Sequence, residues 1–221
     1  MVTKVILHHL LEINRAENPQ LHIGELRKRF TFPNPLYAEA RRLRLSTYGI
    51  PEKIFLFQDR GPSIILPRGI ISAIIAENPE VEIVDQTITR PVEFPPAALS
   101  LRNYQQGPVD ALLQKNQGLL VAPCGSGKTI MLLHVTRQRC QKTLVIAHTA
   151  DLVTQWRTKI EEFLGIVPGI IAGGNYDPSP AIVVGTPMSL ERYQGPEFIR
   201  SFGMIILDEA HHAPADRKSV V

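Results

Sequence analysis

Eight residues constrain this chain more than any others: APCGSGKT, from Ala122 to Thr129. A small residue, a four-residue spacer and then Gly-Lys-Thr is the phosphate-loop (Walker A) spacing, and each position has a physical job. Glycines at 125 and 127 let backbone N–H groups turn inward as an anion nest, and a following helix offers its positive N-terminal end. Lys128 reaches terminal phosphates and the Thr129 hydroxyl bears on Mg²⁺. Pro123, Cys124, Gly125, Ser126, Gly127, Lys128 and Thr129 are therefore predicted to hold the phosphates of a nucleotide. The flanks agree with this reading, because the apolar run GLLVA precedes the loop as a strand and IMLLHVTRQRC follows it as a helix. A glycine turn with a chance Gly-Lys-Thr is the competing reading, and it leaves that agreement unexplained. Cys124 is read as a small loop residue, since no histidine or carboxylate stands beside it in sequence.

Such a loop needs a parallel sheet to sit on, and the second half of the chain has the pattern of one. GLLVA, TLVIAH, GIIAG, AIVVGT and GMIILD are short continuous apolar runs, as in strands buried on both faces. Helical segments alternate with them at Gln105–Lys115, Lys128–Cys140 and Ala150–Leu164, with a shorter one near Ser189. The expected class is α/β, doubly wound, with ligands at the carboxyl ends of the strands. The last run, MIILDEAHH, ends in Asp208 and Glu209. A carboxylate there can join a Mg²⁺ shell and its neighbour can orient or deprotonate an attacking water, so Asp208 is assigned to the metal and Glu209 to the water. A solvated acidic pair would look the same in isolation; the interval from Lys128 to Asp208 favours one shared sheet edge. His211 and His212 have no partners at metal-ligand spacing, which argues against zinc.

The first half reads differently. KVILHHLLEI, KIFLFQD, SIILP and VEIVDQTIT have strand content, whereas IGELRKRF and PLYAEARRLRLSTYG read as helices, the second opening after Asn34 with Pro35 in its first turn. The seam is TRPVEFPPAALSLR, where Pro91, Pro95 and Pro96 interrupt helix and sheet alike. Residues 1–95 are assigned to a small α+β domain and 96–221 to the nucleotide domain. Arg27, Lys28, Arg29, Arg41, Arg42 and Arg44, with Phe30, Phe32 and Tyr37 among them, form a cluster suited to a nucleic-acid backbone and stacked bases. Basic and acidic side chains over 1–95 nearly balance, so the solvated face of one helix is an equal alternative.

With 44% hydrophobic and 20% charged residues, a core is within reach, and the net charge of +3 permits an anionic partner without requiring one. Two cysteines make no disulfide framework, and no apolar run approaches the roughly 20 residues of a membrane helix. A reducing, cytoplasmic protein with no membrane association is expected.

Taken together, the motifs resemble the first motor domain of the superfamily 2 helicases, the DEAD/DEAH-box group in its broad sense. LRNYQQ resembles the adenine-reading element, with Tyr104 and Gln105 matching; AHTADLVTQW resembles motif Ia and VVGTPMSL motif Ib. DEAHH has the histidine-doubled form of the branch containing UvsW-like phage helicases, XPB-like translocases and restriction-enzyme motor subunits. The resemblance covers 99 to about 214, and the first domain is similar to the accessory domain of some phage and mobile-element members. It implies a RecA-like domain using ATP and Mg²⁺, DNA rather than RNA as partner, catalytic roles for Lys128, Asp208 and Glu209, and nucleic-acid contacts at Thr149 and Thr186, with Arg41, Arg42 and Arg44 in the first domain. For Trp156, packing on the sheet is the preferred reading.

In that family a second RecA-like domain supplies an arginine worth about 10³ to 10⁵ in rate in related phosphate-loop enzymes. One such domain, incomplete at its C-terminus, is expected in these 221 residues, so binding of ATP and nucleic acid is expected and full hydrolysis and unwinding are not. A gene fragment, a protein with a separately encoded second motor half and a frameshifted frame all stay open. So does a non-catalytic module in which nucleotide gates nucleic-acid binding or an interaction. A small-molecule kinase would fit the loop but not LRNYQQ, DEAHH and VVGT together.

Overall fold

The computed structural model describes residues 4–7, 10–19, 21–97, 99–193 and 196–210. The chain forms two compact units, one running through Thr87 and the other from Ile88.

The first unit is built on a five-stranded mixed sheet of order β5-β6-β2-β1-β7. β1 (Lys4–Leu7) and β2 (Leu10–Asn14) pair antiparallel, with Val5 opposite Ile13 and Leu7 opposite Leu11. These four side chains are buried, because a period of two places them all on one face. β6 (Ser63–Pro67) lies antiparallel to both β2 and β5 (Gln58–Asp59), and β7 (Glu82–Asp85) runs parallel to β1. Leu26 of α1 (Ile23–Arg29) and Ile74 of α3 (Ile71–Glu77) close the core over this sheet.

A separate two-stranded ribbon joins β3 (Thr31–Pro33) to β4 (Lys53–Phe55) around α2 (Pro35–Arg42). Asn34 is the N-cap of α2: its Oδ1 accepts from the Leu36 N–H at 3.0 Å while its Nδ2 donates to Pro51 O at 2.8 Å. The helix stops well short of Gly49, contrary to the sequence expectation. Arg44 turns left-handed at φ 55°, and the Leu45 N–H reaches back to Ala40 O, five residues earlier, which is how a helix end satisfies an orphan carbonyl.

The second unit has the expected α/β class with a parallel sheet. Its four described strands lie in the order β11-β8-β10-β9, all parallel: β8 (Thr143–Ile146), β9 (Gly169–Ile171), β10 (Ile182–Gly185) and β11 (Met204–Leu207). Both faces are covered, as continuous apolar strands require. Val145, Ile182, Val184 and Ile206 pack with α5 (Lys128–Arg139) and α6 (Ala150–Leu164), while Leu144, Val183 and Ile171 pack with Phe202 and with Phe198 of α8 (Pro196–Arg200). α6 coincides with its sequence reading. Thr149 caps its start, Gly165 at φ 65° ends it, and Val153, Trp156, Ile160 and Leu164 form its buried stripe.

α4 (Asn103–Leu113) packs on α5 through Val109, Met131 and Val135, and α7 (Pro187–Leu190) follows β10. The proline-rich segment is stitched to the sheet's entry: Val92 N–H donates to Cys140 O and Lys142 N–H to Arg90 O. Among the described residues, no helix is long and apolar enough to cross a membrane.

One expected element is not formed. GLLVA is not a strand; Leu119 and Val121 are 75% and 82% exposed, and only Leu120 and Ala122 turn inward, against the α4–α5 cluster. An apolar run becomes a strand only when a neighbour takes up its ladder hydrogen bonds. Here side chains hold the run, and among the described residues β11 pairs with β8 alone.

Candidate nucleotide site and nucleic-acid face

The loop from Ala122 to Thr129 delivers the chain into the 12-residue helix α5. Gly125 and Gly127 have φ of 75° and 82°, a left-handed conformation that side chains rarely adopt. Gly127 carries a second demand, because a Cβ there would lie 2.4 Å from Gln105 Nε2.

Gln105 itself is 4% exposed and ties α4 to the loop. Its Nε2 donates to Ser126 O at 2.9 Å and its Oε1 accepts from the Arg102 N–H at 2.9 Å. One donor and one acceptor site remain on the amide for a base edge. Tyr104, half exposed, donates its hydroxyl to the same Ser126 carbonyl at 3.3 Å. The two residues matched to the adenine-reading element are thus anchored directly on the phosphate loop.

Lys128 lies folded over the loop, with Nζ donating to Ala122 O at 3.0 Å and Pro123 O at 3.3 Å. Ser126 Oγ is buried and has no hydrogen-bond partner among the described residues. These features fit a polyphosphate: an orphaned hydroxyl, a helix N-terminus, a glycine cradle and an ammonium resting on weak carbonyl acceptors. Cys124 is an exposed free thiol and Pro123 is exposed beside it, whereas Thr129 is half-buried in the first turn of α5.

Asp208 follows β11, and its N–H extends the ladder to Ile146 O at 3.0 Å. Its carboxylate is held on both oxygens. Trp156 Nε1–H donates to Oδ2 at 2.7 Å, and the Glu209 N–H donates to Oδ1 at 3.0 Å. Glu209 itself turns left-handed, at φ 50°. Glu209 is exposed; His211 and His212 lie outside the described residues.

Trp156 is the site-associated residue that sequence reasoning left in the core. It is indeed 2% exposed and packed among Val153, Ile160 and Leu164. A buried indole N–H needs an acceptor, however, and that question, put to the chain's single tryptophan, would have pointed to a hydrogen-bond partner beyond the apolar core.

Thr149 and Thr186 are both helix N-caps. Thr149 Oγ1 accepts from the Leu152 N–H and Thr186 Oγ1 from the Ser189 N–H, each at 3.3 Å. In the first unit Arg41, Arg42 and Arg44 are exposed along and just beyond α2, with Arg42 3.7 Å from Glu39. They do not line the groove of about 580 Å³ beside the β3–β4 ribbon, whose basic and aromatic walls are Arg27, Lys28, Phe32, Lys53, Phe55 and Phe57. Arg27 is ion-paired with Asp59, leaving the two lysines as its outward charges.

A glycine loop running into a helix N-terminus, in the same unit as a parallel sheet with an acidic pair at one strand end, has the parts of a phosphate-loop domain. Residues 98–220 match the family described as "Type III restriction enzyme, res subunit", and the chain belongs to that family, within the superfamily 2 helicases of the UvsW/XPB branch. Over 143 residues it is 32% identical to "DNA 3'-5' translocase XPB2" of Sulfurisphaera tokodaii, covering 64% of this chain and 32% of that protein. It is 31% identical over 140 residues to "Probable helicase D10" of Escherichia phage T5, covering 63% and 31%. The crystal structure of T4 UvsW superposes with a TM-score of 0.67 at 22% identity, over 96% of this chain and 48% of that one, a likeness of fold. The chain spans about a third of the length of the two curated relatives.

Proposed function

We propose that these residues form the ATP- and Mg²⁺-binding half of a DNA helicase or translocase motor. The observation that carries this is the loop itself: left-handed glycines at 125 and 127, the unpartnered Ser126 hydroxyl, and Lys128 parked on carbonyls it can leave. The backbone N–H groups of the loop and the N-terminus of α5 bind phosphate oxygens, and Lys128 exchanges Ala122 O and Pro123 O for terminal phosphate. Thr129 and Asp208 would hold Mg²⁺, which when bound neutralises charge building up on the phosphates. Glu209 orients the attacking water and accepts its proton. Tyr104 and Gln105 carry the base side.

DNA as the partner is supported by the designation of the XPB2 relative as a DNA translocase. Thr149 and Thr186 sit at helix starts, where backbone N–H groups favour phosphate. In the first unit, Lys28 and Lys53 beside Phe32 and Phe55 offer charge and stacking surface together, and Arg41, Arg42 and Arg44 add basic surface. Turnover by these residues alone is slow, because the arginine that the family's second motor domain supplies is worth about 10³ to 10⁵ in rate.

The test is ATP turnover with and without DNA, comparing the unmodified chain with Lys128→Ala. Weak, Lys128-dependent turnover that rises on supplying a second motor domain supports the reading. Turnover unaffected by Lys128→Ala would overturn it, and DNA binding gated by ATP with no turnover under any condition would favour a non-catalytic module.

A further inference from the structure

The Asp208 carboxylate is gripped from a helix 52 residues away in sequence. Among the described residues its oxygens accept two hydrogen bonds, and one comes from the adjacent residue, the Glu209 N–H on Oδ1. The other does not. Trp156 comes from the middle of α6, buried in the core that α6 shares with Val145, Val184 and Ile206 of the sheet, and it ends in an N–H aimed at Oδ2 at 2.7 Å.

The chemistry of this contact is selective. An indole N–H donates and cannot accept, it does not titrate, and its ring has only two torsions, both fixed here by packing. The carboxylate it meets is half-buried. Without the indole, the Glu209 N–H is the restraint left on the carboxylate among the described residues, and Oδ2 would turn about the side-chain torsion. With it, one lone pair on each oxygen is committed and the remaining ones point in fixed directions. A partner that orients a ligating carboxylate in this way is the kind of outer-shell group whose loss typically costs about 10 to 100-fold in metal affinity.

We propose that Trp156 is the positioning residue for the metal-side carboxylate: its indole N–H sets the orientation in which Asp208 takes Mg²⁺, so that the core of α6 and the metal site form one rigid assembly. This rests on the reading of Asp208 as a Mg²⁺ ligand.

Two measurements test it. In calorimetric titrations, Trp156→Phe keeps a ring in the core but removes the N–H. ATP affinity in EDTA should be retained, while the Mg²⁺ concentration that half-saturates the ATP-bound chain should rise about tenfold or more. In a ¹⁵N-labelled sample the single tryptophan gives a single indole cross-peak. That peak should move when Mg²⁺ is added to the ATP-bound chain, and Asp208→Ala should shift it and abolish the Mg²⁺ response. The second measurement uses the native tryptophan and decides the matter if Trp156→Phe does not fold. An unchanged Mg²⁺ requirement in folded Trp156→Phe, or a cross-peak indifferent to Asp208→Ala, would overturn the proposal and leave the nucleotide site standing. Failure of the unmodified chain to bind ATP at all would overturn both.

Discussion

Gly127→Ala tests the idea that the adenine-side element and the phosphate loop are one built unit. Two costs arise at this position. The left-handed φ of 82° costs an L-residue about 1–2 kcal/mol. The new Cβ also falls 2.4 Å from Gln105 Nε2, so that side chain must leave. Leaving breaks the bonds to Ser126 O and from the Arg102 N–H, each worth about 1 kcal/mol net. The total expected is about 3–4 kcal/mol, felt as lost loop order and weaker ATP binding. Gly125→Ala is the control, because its φ of 75° imposes the conformational cost alone; nothing lies within 4 Å of a Cβ there. The assay is urea unfolding followed by circular dichroism, run on Gly125→Ala, Gly127→Ala, Gln105→Ala and the Gly127/Gln105 double variant. In the Gln105→Ala background the steric part vanishes, so Gly127→Ala should then cost no more than Gly125→Ala, a coupling of about 2 kcal/mol. Equal costs for Gly127→Ala in both backgrounds would refute the reasoning.

Two further outcomes are expected. Cys124 and Cys140 are both exposed free thiols, but only Cys124 lies in the loop, so ATP should slow maleimide labelling of Cys124 and leave Cys140 unaffected, as peptide mass mapping would read. His134 on α5 is held below its ordinary value of 6.5 by burial and then by the Arg137 charge, with Asp110 opposing. The unfolded chain therefore takes up a proton near pH 6.5 that the folded chain refuses; stability from this group is present above that pH and lost as pH falls toward the folded value. His134→Gln should flatten that part of the pH dependence of the urea midpoint, and an unchanged slope would contradict the assignment.

How far the sequence carried each of these features depended on whether the signal was local. α6 was legible to its ends because a capping threonine, an apolar stripe and a terminal glycine all lie within it. The glycine loop and Asp208-Glu209 were recognisable as motifs for the same reason, since each is contiguous in sequence. Where the deciding interaction comes from elsewhere, reading failed. GLLVA has strand composition, yet whether it pairs depends on a neighbouring backbone. α2 was read too long because Arg44 takes a left-handed turn that no glycine or asparagine announces. α3 was not anticipated at all, since ISAIIAE is rich in the isoleucine that favours strands. The Trp156 contact to Asp208 spans two motifs joined only by the fold. The seam among Pro91, Pro95 and Pro96 identified a break in regular structure, and it took the hydrogen bonds of Arg90 and Val92 to residues 140–142 to show which sheet that segment attends.

Binding of ATP at the loop from Ala122 to Thr129 is tested most directly by calorimetric titration of ATP with Mg²⁺ into the unmodified chain and into Lys128→Ala. Saturable binding at one site per chain, lost or strongly weakened in Lys128→Ala, is the predicted result. No binding by a folded, unmodified chain, or equal binding by the two, would contradict it.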